Sequence, residues 1–415
     1  MALEDTVSPR VLAKMVYAGT SAGSFAAACG DLMHLADLSI SAERVRRACQ
    51  RVGHQRIEHH QRMQRAFEGK PLPQQAGGAP EGVEPPEIAC VMGDGGRYQF
   101  LDRSLPCEPR PSARKGDHWK ESRIGVLLSM SGPSHACDPQ PTLPPELRYE
   151  AIADKLSEMG RSGRAPDSPQ ETGGEEPPAT ERSGLPGPKL VHRSVVASRQ
   201  SWEDFGPLLA SQAWYRGFAA APRKVFVSDG SATIEKLQRT HFSHYTSVLD
   251  LLHALAYSLA AARAVSASEA DARGTYNRWA AQIWAGNVDS VIDELLAYSG
   301  KLGPPPDDVP SNDPRAVVHA SLVYYENHVT RMNYPSYRRA GLPLTSSLME
   351  SAVKQVSRRV KGTEKFWSSA GGETILRLRG EFLCDETPLR EYFRNRASHA
   401  TGTRIYRSNK ESLYA

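Results

Sequence analysis

Two short apolar runs that each end in Asp-Gly constrain this chain more than any other feature. One run is IACVMGDG at residues 88–95, and the other is KVFVSDG at residues 224–230. Short apolar runs bounded by turn residues predict buried strands. A buried strand that ends in an acid delivers its carboxylate to the rim of a sheet. The sequence therefore predicts an α/β core with Asp94 and Asp229 at a sheet rim.

A third acid, Glu350, opens a helical pattern within TSSLMESA at residues 345–352. Each acid also has an ordinary structural explanation. A strand followed by Asp-Gly is typical of a tight turn, and a Glu in a first helical turn interacts favourably with the helix dipole. Two aspartates from strands and one glutamate from a helix are, however, the set with which an RNase H-like core holds two divalent metal ions.

Two longer blocks of sequence surround the second and third acids. Residues 224–253 run from a hydrophobic strand through Asp-Gly and a short helix to Asp250-x-x-His253. Residues 334–362 run from YPSYRRAGLP through the third acid to RVKG, and Trp367 follows. These blocks resemble the second-acid and third-acid blocks of the DDE transposases of bacterial insertion sequences. The similarity is to the ISKra-type group in particular, which is related to the Mutator-like transposases.

The resemblance implies an α/β fold with an RNase H-like core, a mixed sheet and a catalytic triad of acids. Asp94, Asp229 and Glu350 would be catalytic and would hold two Mg²⁺ (or Mn²⁺) ions, which prefer such hard oxygen ligands. Asp250 and His253 would contact the metal-binding residues without binding the metal themselves. A His on an apolar helix face is also often a core residue, and that interpretation stays open.

Basic side chains near the third acid are the candidates for contacts with DNA. At 100° per residue, Glu350, Lys354 and Lys361 fall within about 60° of one another on a helix. With the resemblance, we expect Lys354, Arg358, Lys361 and Trp367 to contact DNA. A Glu–Lys pair at i and i+4 can also serve only to stabilise a helix.

The first part of the chain predicts a helical region with a positively charged surface. Ser41 is placed to cap a helix, and Gly53 is predicted to stop it. This helix and the one before it resemble a helix-turn-helix, whose second helix enters a major groove. The DNA-contacting candidates on it are Arg44, Arg47 and Arg51. An ordinary helical hairpin with a solvated face explains the pattern equally well.

Composition and sequence pattern divide the whole chain into six segments. The predicted units are a helical N-terminal region (1–66), a linker (67–87), the first part of the core (88–251), a helical insertion (252–335), the closing part of the core with the third acid (336–400) and a basic tail (401–415). Within the core, residues 138–190 are rich in Pro, Gly, Ser and Glu and predict a disordered, dispensable insert with one helix at 145–159.

Charge and cysteine usage indicate where such a chain would act. The net charge is +4, and residues 331–415 hold 16 Lys and Arg against 8 Asp and Glu. Basic charge around the third acid suits a phosphate backbone, although a solvated tail would show it as well. The six cysteines show no CxxC motif and predict reduced thiols. Without an apolar run of 18 residues or a leader, we expect a bacterial cytoplasmic protein associated with the nucleoid and no membrane.

The function expected from these features is metal-dependent DNA cleavage and strand transfer at the ends of an insertion sequence. The expected partners are double-stranded DNA, as transposon ends and target, and further copies of the chain assembled on it. A metal-dependent nuclease on the same fold is the alternative within the enzymes. A non-catalytic DNA-binding protein derived from a transposase is the alternative outside them.

Overall fold

The computed structural model describes residues 7–100, 119–162, 187–362 and 365–398. Strands and helices share one α/β architecture around a mixed open sheet, which confirms the predicted class. The strands are β1 (Ile88–Phe100), β2 (Trp119–Ser131), β3 (Lys189–Ser198), β4 (Arg223–Ser228), β5 (Thr246–Leu249) and β6 (Phe366–Trp367). Their order is β3-β2-β1-β4-β5, and β6 pairs with β1.

The sheet changes direction at its central strand. β1 is antiparallel to β2, and β2 is antiparallel to β3, whereas β1, β4 and β5 run parallel. Alternate side chains of β1 enter different cores: Cys90 and Met92 face one, and Ala89 and Val91 face the other. Because both faces are covered, the strand is a continuous apolar run without polar alternation.

Helices cover both faces of the sheet and connect its strands. They are α1 (Pro9–Ser21), α2 (Phe25–Ala36), α3 (Ala42–Glu68), α4 (Leu72–Gly77), α5 (Tyr149–Ser162), α6 (Trp202–Tyr215), α7 (Ala232–His241), α8 (Leu251–Val265), α9 (Glu269–Trp284), α10 (Val288–Leu302), α11 (Pro314–His328), α12 (Tyr334–Arg339), α13 (Ser347–Val360), α14 (Ser369–Phe382) and α15 (Pro388–Ser398). Helices α6 and α7 lie on one face, and α5, α8 and α13 on the other. The segment from α8 to α12 is helical, as its sequence pattern predicts.

Helix α3 begins where the sequence predicts but ends later. The hydroxyl of Ser41 accepts a hydrogen bond from the backbone N–H of Arg44, which caps the helix. The prediction that Gly53 stops the helix is wrong, since α3 continues to Glu68. Gly53 instead lies against α14, where a Cβ atom would come within 2.6 Å of the Cβ of Thr374. The glycine is required there by close helix packing.

Within the predicted insert at 138–190, the helix expected at 145–159 is confirmed, but the expected disorder is wrong for residues 138–162. Residues 145–147 form a short 3-10 helix, α5 follows, and Leu147, Ile152 and Leu156 are buried in the main core. The hydroxyl of Tyr276 donates to the carbonyl of Leu147 over 3.0 Å. Residues 163–186 of the insert are outside the described part of the chain, and β3 begins at Lys189, within the last residues of the insert.

Other predicted segments have mixed outcomes. The predicted linker 67–87 contains α4, and the indole of Trp214 donates to the carbonyl of Gln74 over 2.9 Å. The predicted basic tail at 401–415 lies outside the described residues. No helix that the structure describes has both the length and the apolar character needed to cross a membrane.

Candidate functional site

Asp94 lies on β1, and Asp229 directly follows the neighbouring strand β4 on the same side of the sheet. β1 and β4 are parallel, with Met92 paired to Val227, so two positions further along the chain lead to Asp94 and Asp229. Parallel partners point the same way, and neighbouring strands are about 4.8 Å apart. Met92 and Val227 both face the main core, so both aspartates emerge on that face.

The rim on which these acids lie differs from the predicted one. Asp94 was expected at the end of a strand, but β1 continues to Phe100 because it pairs with β2 as far as Gln99. The rim exists because β4 ends at Ser228. Past this point β1 still pairs with β2 but no longer with β4, and the side chain of Asp94 is partly exposed.

Asp229 combines a turn with an acid. Its Oδ1 accepts a hydrogen bond from the backbone N–H of Ser231 over 2.9 Å, and Gly230 follows with φ +94°. The hydroxyl of Tyr324 donates to the carbonyl of Asp229 over 2.9 Å. A Cβ atom on Gly230 would lie 2.8 Å from Nε2 of His328. The turn interpretation is therefore correct for the backbone, and it fixes the position of the carboxylate.

Glu350 approaches the same face from helix α13, which packs on β1. Met349, Ala352 and Val356 are buried on the inner side of this helix, and Glu350 is partly buried beside them. Burial raises the pKa of Glu350, and the charge of Asp250 raises it further. The third acid therefore lies at the border between core and solvent.

The pKa of Asp94 is raised by burial and by the charges of the other two acids. Burial and the charge of Asp229 raise this pKa to about 6, against the pull of a 2.6 Å hydrogen bond from the backbone N–H of Gly95. Glu350 contributes a further rise. The charges of the other two carboxylates thus both act on Asp94, and the register of β1 with β4 and the packing of α13 on β1 bring the three acids to the same side of the sheet.

Asp250 ties the start of helix α8 to the segment that precedes the third acid. Its fully buried carboxylate accepts from the backbone N–H of Leu252 over 2.7 Å and, through Oδ2, from the backbone N–H of Ser346 over 3.0 Å. The Ser346 hydroxyl also donates to Oδ2. Burial would raise the pKa of Asp250, but the bonds from His253, Ser346 and Leu252 lower it. Asp250 is therefore a positioning group with its oxygens already engaged.

His253 lies among the acids as an imidazolium. Its Nδ1 is 3.1 Å from Oδ2 of Asp250, and its side chain is 30% exposed. Burial would lower its pKa, but the hydrogen bond and charge of Asp250, followed by the charges of Asp229 and Glu350, raise it to about 9. The cation partly offsets the repulsion among the carboxylates. His253 is therefore more than a residue of the apolar core, because it is paired with Asp250 and partly exposed.

The two lysines predicted to share a helical face with Glu350 differ in position in the structure. Lys354 is exposed and lies within electrostatic reach of Glu350. The shared helical face is wrong for Lys361, because α13 ends at Val360 and Lys361 is extended, with its Nζ 6.0 Å from the ring centroid of Trp119.

The two remaining candidates beside α13 differ in exposure. Arg358 is exposed on the helix, and its carbonyl accepts a hydrogen bond from Nζ of Lys365. The indole of Trp367 is partly buried and donates to the carbonyl of Val360 over 2.9 Å, with the guanidinium of Arg359 5.0 Å from its ring centroid. Trp367 is therefore engaged in packing.

The arginines of the N-terminal region lie on a helix that carries none of the three acids. They are Arg44, Arg47 and Arg51, all on α3. This helix packs against α1, α2, α6 and α14, whereas the acids come from β1, β4 and α13. Nε of Arg47 lies 2.7 Å from a carboxylate oxygen of Glu43. Their contact with DNA stays a prediction.

Sequence reasoning missed two participants in the site. Ser346 gave no signal except its place just before the helix of the third acid. The charge of Lys155 on α5 opposes the rise in the pKa of Glu350, yet this lysine lies in an insert that the sequence predicts to be dispensable. Only tertiary packing brings either residue to the cluster.

The acids are of the kind that binds a divalent cation, but their side chains are not positioned to share one. Across residues 7–100, 119–162, 187–362 and 365–398, no three His, Cys, Asp or Glu side chains are arranged to hold a metal ion. Three mutually repelling carboxylates are nevertheless the hard oxygen donors that Mg²⁺ and Mn²⁺ prefer. The carboxylates would have to move together to share such an ion.

Comparison with known proteins adds no identification. No protein-family model matches the chain, and no curated protein matches it.

Proposed function

We propose that this protein is a DDE transposase that cleaves and joins DNA at the ends of an insertion sequence. The observation that carries the proposal is the convergence of Asp94, Asp229 and Glu350 on one face of the sheet. A sheet with three antiparallel strands followed by two parallel ones is compatible with an RNase H-like core. The sequence blocks around the second and third acids support the same proposal.

In this proposal the three carboxylates hold two Mg²⁺ or Mn²⁺ ions. Bound ions would activate the attacking hydroxyl and stabilise the leaving oxygen of a phosphodiester. The protein's own part is to place the acids: β1 and β4 fix Asp94 and Asp229 through their register, and Asp250 holds the segment that leads into Glu350. The positive charge of His253 would reduce the repulsion between the carboxylates of Asp229 and Glu350 in the absence of bound metal.

The proposed partners are double-stranded DNA, as transposon ends and target, and further copies of the chain on that DNA. In this proposal Lys354, whose charge acts on Glu350, would contact a backbone phosphate. A nuclease would use the same acids, so the site alone does not separate the two activities. A non-catalytic descendant would have no need to keep three acids in one cluster, and their presence favours an enzyme.

The Glu350→Gln variant tests the catalytic proposal. It keeps the shape of the side chain and removes a charge required to hold a divalent ion, so Mg²⁺-dependent cleavage of DNA carrying the sequences that flank the gene should be lost. DNA binding should remain, since it rests on basic surfaces. The matched control is Glu326→Gln, which changes an exposed acid on α11 and should cleave normally.

Two results would decide against the proposal. Normal cleavage by Glu350→Gln would show that Glu350 is a helix residue without a catalytic role. Cleavage products that never become joined to a target plasmid would favour the nuclease over the transposase.

A further inference from the structure

We infer that the end of helix α11 holds the second acid in place for the proposed reaction. The positioning residues are Tyr324, His328 and Arg331. This inference rests on the proposed function and deepens it, because it gives the helical segment between the second and third acids a part in the site.

Three residues at helical spacing lie against three consecutive residues of the Asp229 turn. Tyr324, His328 and Arg331 stand at i, i+4 and i+7, which share one face of a helix. The first two belong to α11, and the third ends the 3-10 turn that follows it. Their side chains contact residues 228–230, where β4 ends and the turn begins. One face of this helix end therefore follows the turn along its length.

Tyr324 makes the contact with Asp229 itself. Its hydroxyl donates to the carbonyl of Asp229 over 2.9 Å. The ring is stacked on that of Tyr257 of α8, with 3.8 Å between the centroids, and meets His328 edge to face at 4.8 Å. Because two neighbouring rings hold this tyrosine, its hydroxyl fixes the backbone of the acid.

Arg331 contacts the chain on both sides of the turn. Its guanidinium is buried, and Nη1 donates to the hydroxyl of Ser228 over 3.2 Å. Nη2 lies 3.8 Å from a carboxylate oxygen of Glu235 on α7. Ser228 comes just before the acid and Glu235 comes after it, so one buried cation joins the segments that enter and leave the turn.

His328 lies against Gly230, the last residue of the turn. Nη2 of Arg331 is 2.6 Å from Nδ1 of this histidine. A guanidinium can only donate, so Nδ1 accepts and the ring proton is on Nε2. A Cβ atom on Gly230 would come within 2.8 Å of Nε2 and 3.0 Å of the Tyr324 ring. The absence of a side chain at this glycine is what lets both rings approach the turn.

The position of Asp229 in the chain explains why these contacts matter. Asp94 lies inside β1, where pairing with β2 fixes its backbone, whereas Asp229 lies one residue past the end of β4. Backbone beyond the end of a strand has no ladder to hold it and is readily mobile. A catalytic acid needs a fixed backbone and supporting contacts. Contacts from α11 provide that support for the second acid.

The test compares Tyr324→Phe with Tyr325→Phe. Each variant keeps its ring and loses one hydroxyl that donates to a backbone carbonyl, over 2.9 Å to Asp229 in the first and over 2.7 Å to Ala254 in the second. Both should lower the temperature of unfolding by a similar amount. The exchange rate of the Ser231 amide, which donates to Oδ1 of Asp229, reports on the acid in the absence of metal. Tyr324→Phe should speed this exchange about fivefold, and Tyr325→Phe should leave it unchanged.

The second measurement links the turn to the reaction. It is the Mg²⁺ concentration that gives half-maximal cleavage of DNA carrying the sequences that flank the gene. Tyr324→Phe should raise this concentration about tenfold, because supports of this kind tune the affinity of a site, and should change the maximal rate by less than about twofold. Tyr325→Phe should change neither, although it costs similar stability.

The outcomes separate this inference from the proposed function. Equal exchange at Ser231 in the two variants overturns the positioning contact, while Mg²⁺-dependent cleavage by the unaltered protein still supports the transposase. Faster exchange with an unchanged Mg²⁺ requirement also overturns the inference, because the turn then has no bearing on the reaction. If the unaltered protein does not cleave DNA with Mg²⁺, the enzyme and the role of α11 in its reaction are both refuted, whatever the exchange rates.

Discussion

Replacing Asp94 with Asn should stabilise the protein at neutral and higher pH. The asparagine has nearly the same shape, and its Oδ1 can still accept the hydrogen bond from the N–H of Gly95. The charge that burial and Asp229 disfavour would be gone. Function at such clusters is commonly maintained at the expense of stability.

The size of the effect follows from the pKa of Asp94, which lies at about 6 in the fold and at 3.8 for the unperturbed group. Each pKa unit corresponds to about 1.4 kcal/mol, so ionisation in the fold costs at most about 3 kcal/mol. The carboxyl is partly exposed, and its surroundings can relax, so we expect a gain of about 1–2 kcal/mol in the free energy of unfolding.

The sign of the pH dependence follows because the pKa of Asp94 is raised. The folded protein carries the full penalty above about pH 6 and loses it as the pH falls through 6 towards 3.8. Urea unfolding without divalent metal should therefore show the gain of Asp94→Asn at pH 8 and little gain at pH 4. Asp154→Asn, which changes an exposed acid on α5, is the control and should be nearly neutral at both values. No gain at pH 8, or the same gain at pH 4, would refute the electrostatic argument.

Two further variants test the supports of the site and of the N-terminal helices. Asp250→Ala should lower the free energy of unfolding by about 3 kcal/mol, because it removes the acceptor for Ser346 and leaves the charge of His253 without its partner; urea unfolding measures this, and a loss below about 1 kcal/mol would contradict it. Gly53→Ala should cost about 1–3 kcal/mol through its clash with the Cβ of Thr374, and thermal unfolding should show that Thr374→Gly, which removes that Cβ, costs less in the Gly53→Ala background than alone.

Local patterns predicted the elements that carry the acids. The apolar runs before Asp94 and Asp229 form adjacent strands, and Glu350 lies in the first turn of a helix. These features follow from a few neighbouring residues, so sequence reasoning reaches them. It could not show that β1 continues past Asp94, because GDGG is a poor strand former and only the ladder with β2 extends it.

Tertiary packing accounts for the remaining differences. Gly53 would end an isolated helix, but contact with α14 lets α3 continue through it. Lys155 lies in a helix that the sequence predicts within a segment whose composition indicates disorder, and the apolar face of that helix packs in the main core. Neither the continuation of α3 nor the place of α5 in the core can be derived from residue spacing, since each depends on a surface contributed by a distant part of the chain.

The helices between the second and third acids leave and rejoin the sheet at almost the same point. The backbone N–H of Leu251, which begins α8, donates to the carbonyl of Leu344 over 3.0 Å, and the N–H of Asp250 donates to the carbonyl of Ser228 over 2.8 Å. A segment whose two ends meet can be lengthened, shortened or exchanged at small entropic cost. The hydrogen bonds at its two ends therefore close this connection whatever its length, so its outer parts can change in length, whereas His253 and Tyr324 tie its inner helices to the acids.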